Sequence, residues 1–168
     1  KDATPISILQ GLGTAKSAGF SLAALFDEKR MFDYPKPVEL IKRLIQISTE
    51  KDDLICDFFA GSGTTAQAML ELNKNEDGNR KFILVQLPEL IDSETEAYKS
   101  GLQTIAQVAE ERIRRVIKKE KISDGFKLFK LGESNYPENN FEFDPDKSQE
   151  ENKKAFQQYL DKAKQGSL

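Results

Sequence analysis

The feature that most restricts this chain is a short apolar run that breaks into two glycines at the mouth of a helix. Leu54-Ile55-Cys56-Asp57-Phe58-Phe59 has the length and apolar density of a buried strand. It is bounded by the polar turn 49–53 on one side and by Ala60-Gly61-Ser62-Gly63-Thr64-Thr65 on the other. The helix that follows places Ala66, Met69, Leu70 and Asn73 on its inward side. A polar loop through Glu76, Asp77, Gly78 and Asn79 then leads to a second strand, Phe82-Ile83-Leu84-Val85-Gln86-Leu87, closed by Pro88. Strand, crossover helix and strand in this order make a βαβ unit, with parallel neighbouring strands and a right-handed crossover, and the fold class is therefore α/β.

The flanking segments supply helices. Residues 1–20, with Gly11, Gly13 and Gly19 among small polar residues, read as a loop or arm. Ser21 is a candidate N-cap for a brief helix carrying Leu22, Leu25 and Phe26. Pro35 and Pro37 force an extended approach to a further helix, with Pro37 at its first position and Leu40, Ile41, Leu44 and Ile45 on one face. The longest helical period runs from Glu94 to Lys119, and Phe126 to Leu131 alternates as a half-exposed strand would. Three regions follow: an arm over 1–20, an α/β domain over 21–132, and a connector with a C-terminal helix over 133–168. In the last, Tyr136, Phe141 and Phe143 stand as isolated anchors, and Phe156, Tyr159, Leu160 and Ala163 form a narrow stripe suited to docking on the domain or a partner.

Composition removes several functions. The chain has no His and one Cys, which excludes zinc chemistry and serine-histidine hydrolysis from its own residues. Its formal net charge of −3 argues against the whole chain acting as a nucleic-acid clamp. No apolar run approaches the roughly 20 residues of a bilayer span and no signal segment opens the chain, so the expected location is cytoplasmic, away from membranes. The first residue is Lys, which is consistent with a piece of a longer chain.

The chemistry concentrates at the glycine loop. Gly61-x-Gly63 at a helix start lets a ligand approach the backbone, and the first helical amides point into the crevice at the strand's C-terminal edge. With Ala66 in third place the run also satisfies the dinucleotide pattern G-x-G-x-x-A, which keeps a nicotinamide-dependent oxidoreductase as an alternative. It is not a P-loop, because Thr64 stands where the lysine would be. Asp57 at the strand tip would repel a pyrophosphate and attract an ammonium or sulfonium, and Phe58 or Phe59 offers a ring to adenine or a cation. The plainer alternative has Asp57 capping the loop and both rings in the core. The basic helix end Arg112 to Lys119 has two readings as well: a DNA contact, or a solvated face in which Glu110–Arg114 and Glu111–Arg115 pair at i,i+4.

Three segments together resemble the cofactor half of the beta-class DNA amino-methyltransferases, most closely the methylation (Mod) subunit of type III restriction-modification systems. Phe32-Asp33-Tyr34-Pro35-Lys36-Pro37-Val38-Glu39-Leu40-Ile41 looks like motif X, Asp57 to Thr65 like motif I, and Lys81 to Glu89 stands where motif II stands. Gly125 to Leu131 is similar to a later strand of type III subunits, and the likeness covers roughly residues 14–135. The resemblance implies a Rossmann-like S-adenosylmethionine-dependent methyltransferase fold, here incomplete, with a mostly parallel sheet flanked by helices. By the same resemblance Lys36 and Pro37 line the methionine end of the cofactor, Asp57 anchors it, and Phe59, Ala60, Gly61, Ser62, Gly63 and Thr64 wrap it. Where the family carries a ribose-binding acid this chain has Gln86, with Glu89 three residues on, and either is a candidate for the ribose.

A D-P-P-Y-like motif, whose polar groups grip the exocyclic amine of an extruded base, is missing from the sequence. In the beta class it precedes motif X together with the target-recognition region. The resemblance therefore implies the cofactor portion of an adenine-N6 DNA methyltransferase, without catalytic residues of its own. DNA, a restriction subunit and a second Mod copy are the implied partners of the parent protein, and a non-catalytic assembly remnant is the remaining alternative.

Overall fold

The structure is a computed structural model that describes residues 10–123, 125–132 and 141–165. The chain divides into two compact units, Lys1–Gly125 and Phe126–Leu168.

The first unit is built on a parallel pair of strands, β1 (Leu54–Asp57) and β2 (Lys81–Leu84), in the register Leu54↔Lys81 to Asp57↔Leu84. The crossover helix α3 (Thr64–Glu76) joins them, so the βαβ unit expected from the sequence is present. Preceding it are α1 (Ala15–Leu25) and α2 (Val38–Ser48), and following it are α4 (Glu96–Lys99) and α5 (Ile105–Glu120). Helix α3 is the hub, packing on α2 and on α5. It buries Ala66, Ala68, Met69, Leu70 and Leu72, while α5 contributes Val108, Ala109, Ile113 and Val116. Each fully buried Val, Leu or Met contributes roughly 1.5–3 kcal/mol. A second apolar cluster joins Leu22 of α1, Phe26 at its C-cap, Met31, Ala97 of α4 and Val108 of α5, with Phe32 and Ile91 against it.

Among the described residues of the first unit, one face of the strand pair is packed. Ile55, Phe82 and Leu84 are half-buried, whereas Leu54 and Ile83 on the other face are 60% and 49% exposed and Cys56 is exposed with them. Parallel strands are ordinarily covered on both faces, so this apolar surface is unusual for a finished sheet.

Several boundaries differ from those read in the sequence. The helix expected to open at Ser21 opens at Ala15, because Thr14 and Ser17 form a reciprocal capping box. Residues 15–20, expected as loop or arm, are therefore helical. Pro37 is the N-cap of α2 and not its first residue, and Pro35 is buried. Both strands are shorter than expected, although the Val85 amide still donates to Asp57 O (2.8 Å) and the Ala60 amide to Val85 O (3.1 Å). The single helix expected over 94–119 is two, separated by residues 100–104. Thr104 reopens the helix with a capping box to Gln107 and bridges antiparallel to Leu90. Among the described residues no helix is long and apolar enough to cross a membrane.

In the second unit residues 126–132 form no strand, in contrast to the alternation of Phe126 to Leu131, because no strand among the described residues pairs with them. Helix α6 (Gln149–Gln165) is present as expected. Phe141 and Phe143 are not isolated: the Phe141 ring lies 5.1 Å from Phe156 and 5.6 Å from Tyr159, so part of the stripe on α6 is covered by its own connector. Tyr136 lies outside the described residues.

Candidate functional site

The glycine loop leaves β1 at Asp57 and is pinned by side chains on every side. Asp57 Oδ1 accepts the Phe59 amide (3.1 Å), and Oδ2 accepts the Thr65 hydroxyl at the start of α3 (2.6 Å). The capping role proposed for this carboxylate is thus realised, and because a carboxylate has about four lone-pair sites it retains acceptor capacity. Neither Phe58 nor Phe59 belongs to the core: they are 67% and 89% exposed. Across the strand pair Gln86 Oε1 accepts the Gly61 amide (2.8 Å) while Nε2 donates to Leu87 O (3.2 Å). The side chain that stands where the family has an acid is therefore a latch on the loop. Glu89 is exposed, three residues beyond it.

The two glycines serve opposite sides of the loop. At Gly63, with φ +76°, a Cβ would lie 3.2 Å from Ala109 Cβ and 3.3 Å from Ala109 Cα and O. Its missing side chain lets α5 approach the loop, and a bulky residue there would fill the helix contact and not the crevice, contrary to the simplest reading of the pattern. Gly61, at φ +52°, faces the open side, where a Cβ would meet only Phe32 Cζ and Phe59 O at 3.9 Å. Phe32 thereby brings the Phe32–Ile41 segment against the glycine loop.

Under the loop lies Arg112, 1% exposed. Its Nη1 donates to Ser62 Oγ and Thr64 Oγ1, both at 2.8 Å, and to Ser62 O at 3.2 Å, while Nε donates to Gln67 Oε1 at 2.7 Å. Burial pulls the guanidinium down to about 10, and the Glu71 carboxylate opposes that pull, so it stays cationic at neutral pH. Ser62 and Thr64, expected to wrap a ligand, turn their hydroxyls inward to this residue. Sequence reasoning passed over Arg112 as part of a basic helix end. Its signal was position, since it follows Ala109 at i+3 and precedes Val116 at i+4 on the apolar stripe of α5.

The rest of that basic end is also engaged. Arg115 pairs with Glu111 (2.8 Å) and Asp27 (2.9 Å) and lies over the Phe26 ring, and Arg114 pairs with Glu110. Both i,i+4 pairs expected for a solvated face are formed.

Above the loop Phe32, Asp33 and Tyr34 form a wall between two clefts. One, about 460 Å³, is lined further by Leu90, Ile91, Asp92, Thr95 and Ile105. The other, about 560 Å³, is lined by Phe20, Ala23, Glu28 and Arg30 among others. Lys36 is exposed on the extended stretch before α2, without an ion-pair partner among the described residues, and Pro37 packs toward Gly13. The structure thus gathers Asp57, Ala60, Gly61, Gly63 and Gln86 around one loop, and sends Ser62 and Thr64 beneath it.

A βαβ unit with a glycine loop at its strand tip, joined to an aromatic wall from the preceding segment, is the arrangement carried by residues 12–117, which match the DNA methylase family model for N6 and N4 methyltransferases. The chain belongs to that family. It is similar to the EcoPI Mod subunit of a type III restriction-modification enzyme from Escherichia phage P1, at 47% identity over 54% of this chain. It is also 45% identical to the StyLTI Mod subunit of Salmonella typhimurium over 53% of the chain, and 41% identical to the type II methyltransferase M.KpnI of Klebsiella pneumoniae over 60%. The matched segments span 14%, 14% and 23% of these relatives, so the chain corresponds to a minor share of each.

Proposed function

We propose that this chain is the cofactor-binding portion of a site-specific adenine-N6 DNA methyltransferase of a type III restriction-modification system, and that it binds S-adenosylmethionine at the C-terminal edge of β1. The observation that carries this reading is the meeting of Phe32 with the open side of Gly61, 3.9 Å from where a Cβ would stand. The gap there admits no more than a methyl group, and the glycine leaves the loop backbone bare beside the cleft that Phe32 lines.

The residues fit a cationic nucleoside. Phe32, Leu90 and Ile91 supply an aromatic and apolar wall of the kind adenine packs against, and Asp57 offers negative charge to the amino-acid end. Glu89 is the exposed candidate for the ribose hydroxyls, because Gln86 is already bonded to the loop. Lys36 and Pro37 stand at the methionine end by resemblance. When bound, S-adenosylmethionine supplies an activated methyl group on sulfur. This chain's residues hold and orient the donor: the Asp57 and Gln86 bonds keep the loop in one shape, and the aromatic wall excludes water from one side. Gripping the target base falls to a D-P-P-Y-like motif that this sequence does not contain.

The uncovered face of β1 and β2, with Leu54, Ile83 and Val85 exposed, supports a Rossmann-like sheet completed by further strands and helices of the parent protein. DNA, a restriction subunit and a second Mod copy are the parent's proposed partners, in the cytoplasm. Calorimetric titration of the full chain with S-adenosylhomocysteine and with NAD tests the reading. Preferential binding of S-adenosylhomocysteine is expected; tighter NAD binding would favour an oxidoreductase, and binding of neither would favour an assembly remnant.

A further inference from the structure

Arg112 occupies a place where a charge is costly. It shares the inward face of α5 with Ala109, Ile113 and Val116, and it is buried as completely as they are. A guanidinium is tolerated out of water only where hydrogen bonds replace its hydration. Here the replacement comes from three oxygens of the glycine loop region, two on Ser62 and one on Thr64, and from Gln67 one turn into α3. No carboxylate bonds it directly among the described residues. Glu71 acts one step away, accepting from Gln67 Nε2 at 2.8 Å and pairing with Lys42 at 2.6 Å.

We propose that Arg112 is the positioning residue of the glycine loop, clamping Ser62 and Thr64 to α5 so that the loop holds the shape the cofactor requires. This rests on the cofactor-binding reading above. Arg112 touches no cofactor and acts through the loop. Only a planar fork can serve Gln67 through Nε and the loop oxygens through Nη1 together; a lysine ammonium is a single point. Ala109, one turn earlier on the same face, completes the clamp by admitting α5 to within contact of Gly63. A loop ordered in this way before binding does not have to be ordered by the ligand, which raises affinity.

The test compares the full wild-type chain with Arg112→Lys, with the double variant Ser62→Ala/Thr64→Val, and with all three changes combined. Amide hydrogen exchange is followed across the chain, and S-adenosylhomocysteine affinity is measured by calorimetry. Exchange is expected to accelerate at residues 60–65 while the amides of α2 keep their protection. Affinity is expected to fall roughly tenfold in each variant, the equivalent of one hydrogen bond to a charged group. The combined variant is expected to bind no more weakly than the weaker of the two, because both changes open the same clamp. Unchanged loop exchange and affinity in a folded Arg112→Lys chain would overturn the proposal. Additive losses, or faster exchange spread over the whole first unit, would overturn it also. If Arg112→Lys does not fold, the Ser62/Thr64 variant, which leaves α5 intact, decides the matter. A wild-type chain that binds no S-adenosylhomocysteine refutes the cofactor reading, and loop exchange then judges the clamp by itself.

Discussion

Gly63→Ala separates the two glycines by what each does. The backbone there has φ +76°, a left-handed conformation that costs an ordinary L-residue about 1–2 kcal/mol. The added methyl would also stand 3.2–3.3 Å from the Cβ, Cα and carbonyl oxygen of Ala109. Two of those three atoms are helix backbone and cannot rotate away, so the overlap adds about 1–3 kcal/mol. The sum is a loss of about 2–5 kcal/mol, or a fall in Tm of roughly 4–20 °C at about 2–4 °C per kcal/mol for a chain of this size. Gly61→Ala meets nothing closer than 3.9 Å, so only the φ +52° cost applies to its stability. Its methyl enters the hollow beside Phe32, however, and S-adenosylhomocysteine affinity is expected to fall further than Tm would suggest. Thermal unfolding and calorimetry on the two variants read the contrast. A Gly63→Ala chain melting within about 1 °C of wild type would refute the packing argument.

Three further outcomes follow from single contacts. Asp57→Asn keeps an oxygen for the Phe59 amide but no charge, so affinity for S-adenosylmethionine and for S-adenosylhomocysteine, which carry the same ammonium at the amino-acid end, is expected to fall alike; unchanged affinity for both would remove the electrostatic role. Gln86→Glu retains an acceptor for the Gly61 amide, whereas Gln86→Ala leaves that amide unbonded and is expected to cost about 1–2 kcal/mol more in urea unfolding. Glu76 is held below its ordinary 4.5 by the Gln46 amide first and by Arg80 and Lys51 after it, against the opposing effect of burial. The unfolded chain therefore takes up that proton more readily, so the stabilisation is present above about pH 4.5 and is lost as pH falls through the folded value. Glu76→Gln is expected to flatten the acid limb of the Tm profile below that pH, and an unchanged limb would assign acid unfolding to other carboxylates.

The βαβ unit was legible because its period changes cleanly, from an apolar run of strand length to the helical spacing of Ala66, Met69 and Leu70, with glycines at the junction. Element ends were less legible, since they depend on local caps. Thr14 with Ser17 and Thr104 with Gln107 set two helix starts at the same spacing, and only the second has the usual Glu or Gln at its third position. The segment 126–131 alternates as a strand should but has no strand beside it among the described residues, and alternation specifies a face, not a pairing partner. At the site, spacing located the loop but not the direction of its side chains. Ser62 and Thr64 read as ligand contacts until Arg112 was seen beneath them, 50 and 48 residues away in sequence. Gln86 read as a departure from an acidic position, and its bond to the Gly61 amide is a tertiary fact no window of sequence contains.

The central claim is a location: a cationic nucleoside lying in the hollow lined by Phe32, Leu90 and Ile91, beside the glycine loop. Crystals of the chain grown with saturating S-adenosylhomocysteine measure it directly. Density is expected in that hollow, with the amino-acid end toward Asp57; density confined to any other surface, or none at all, would contradict it.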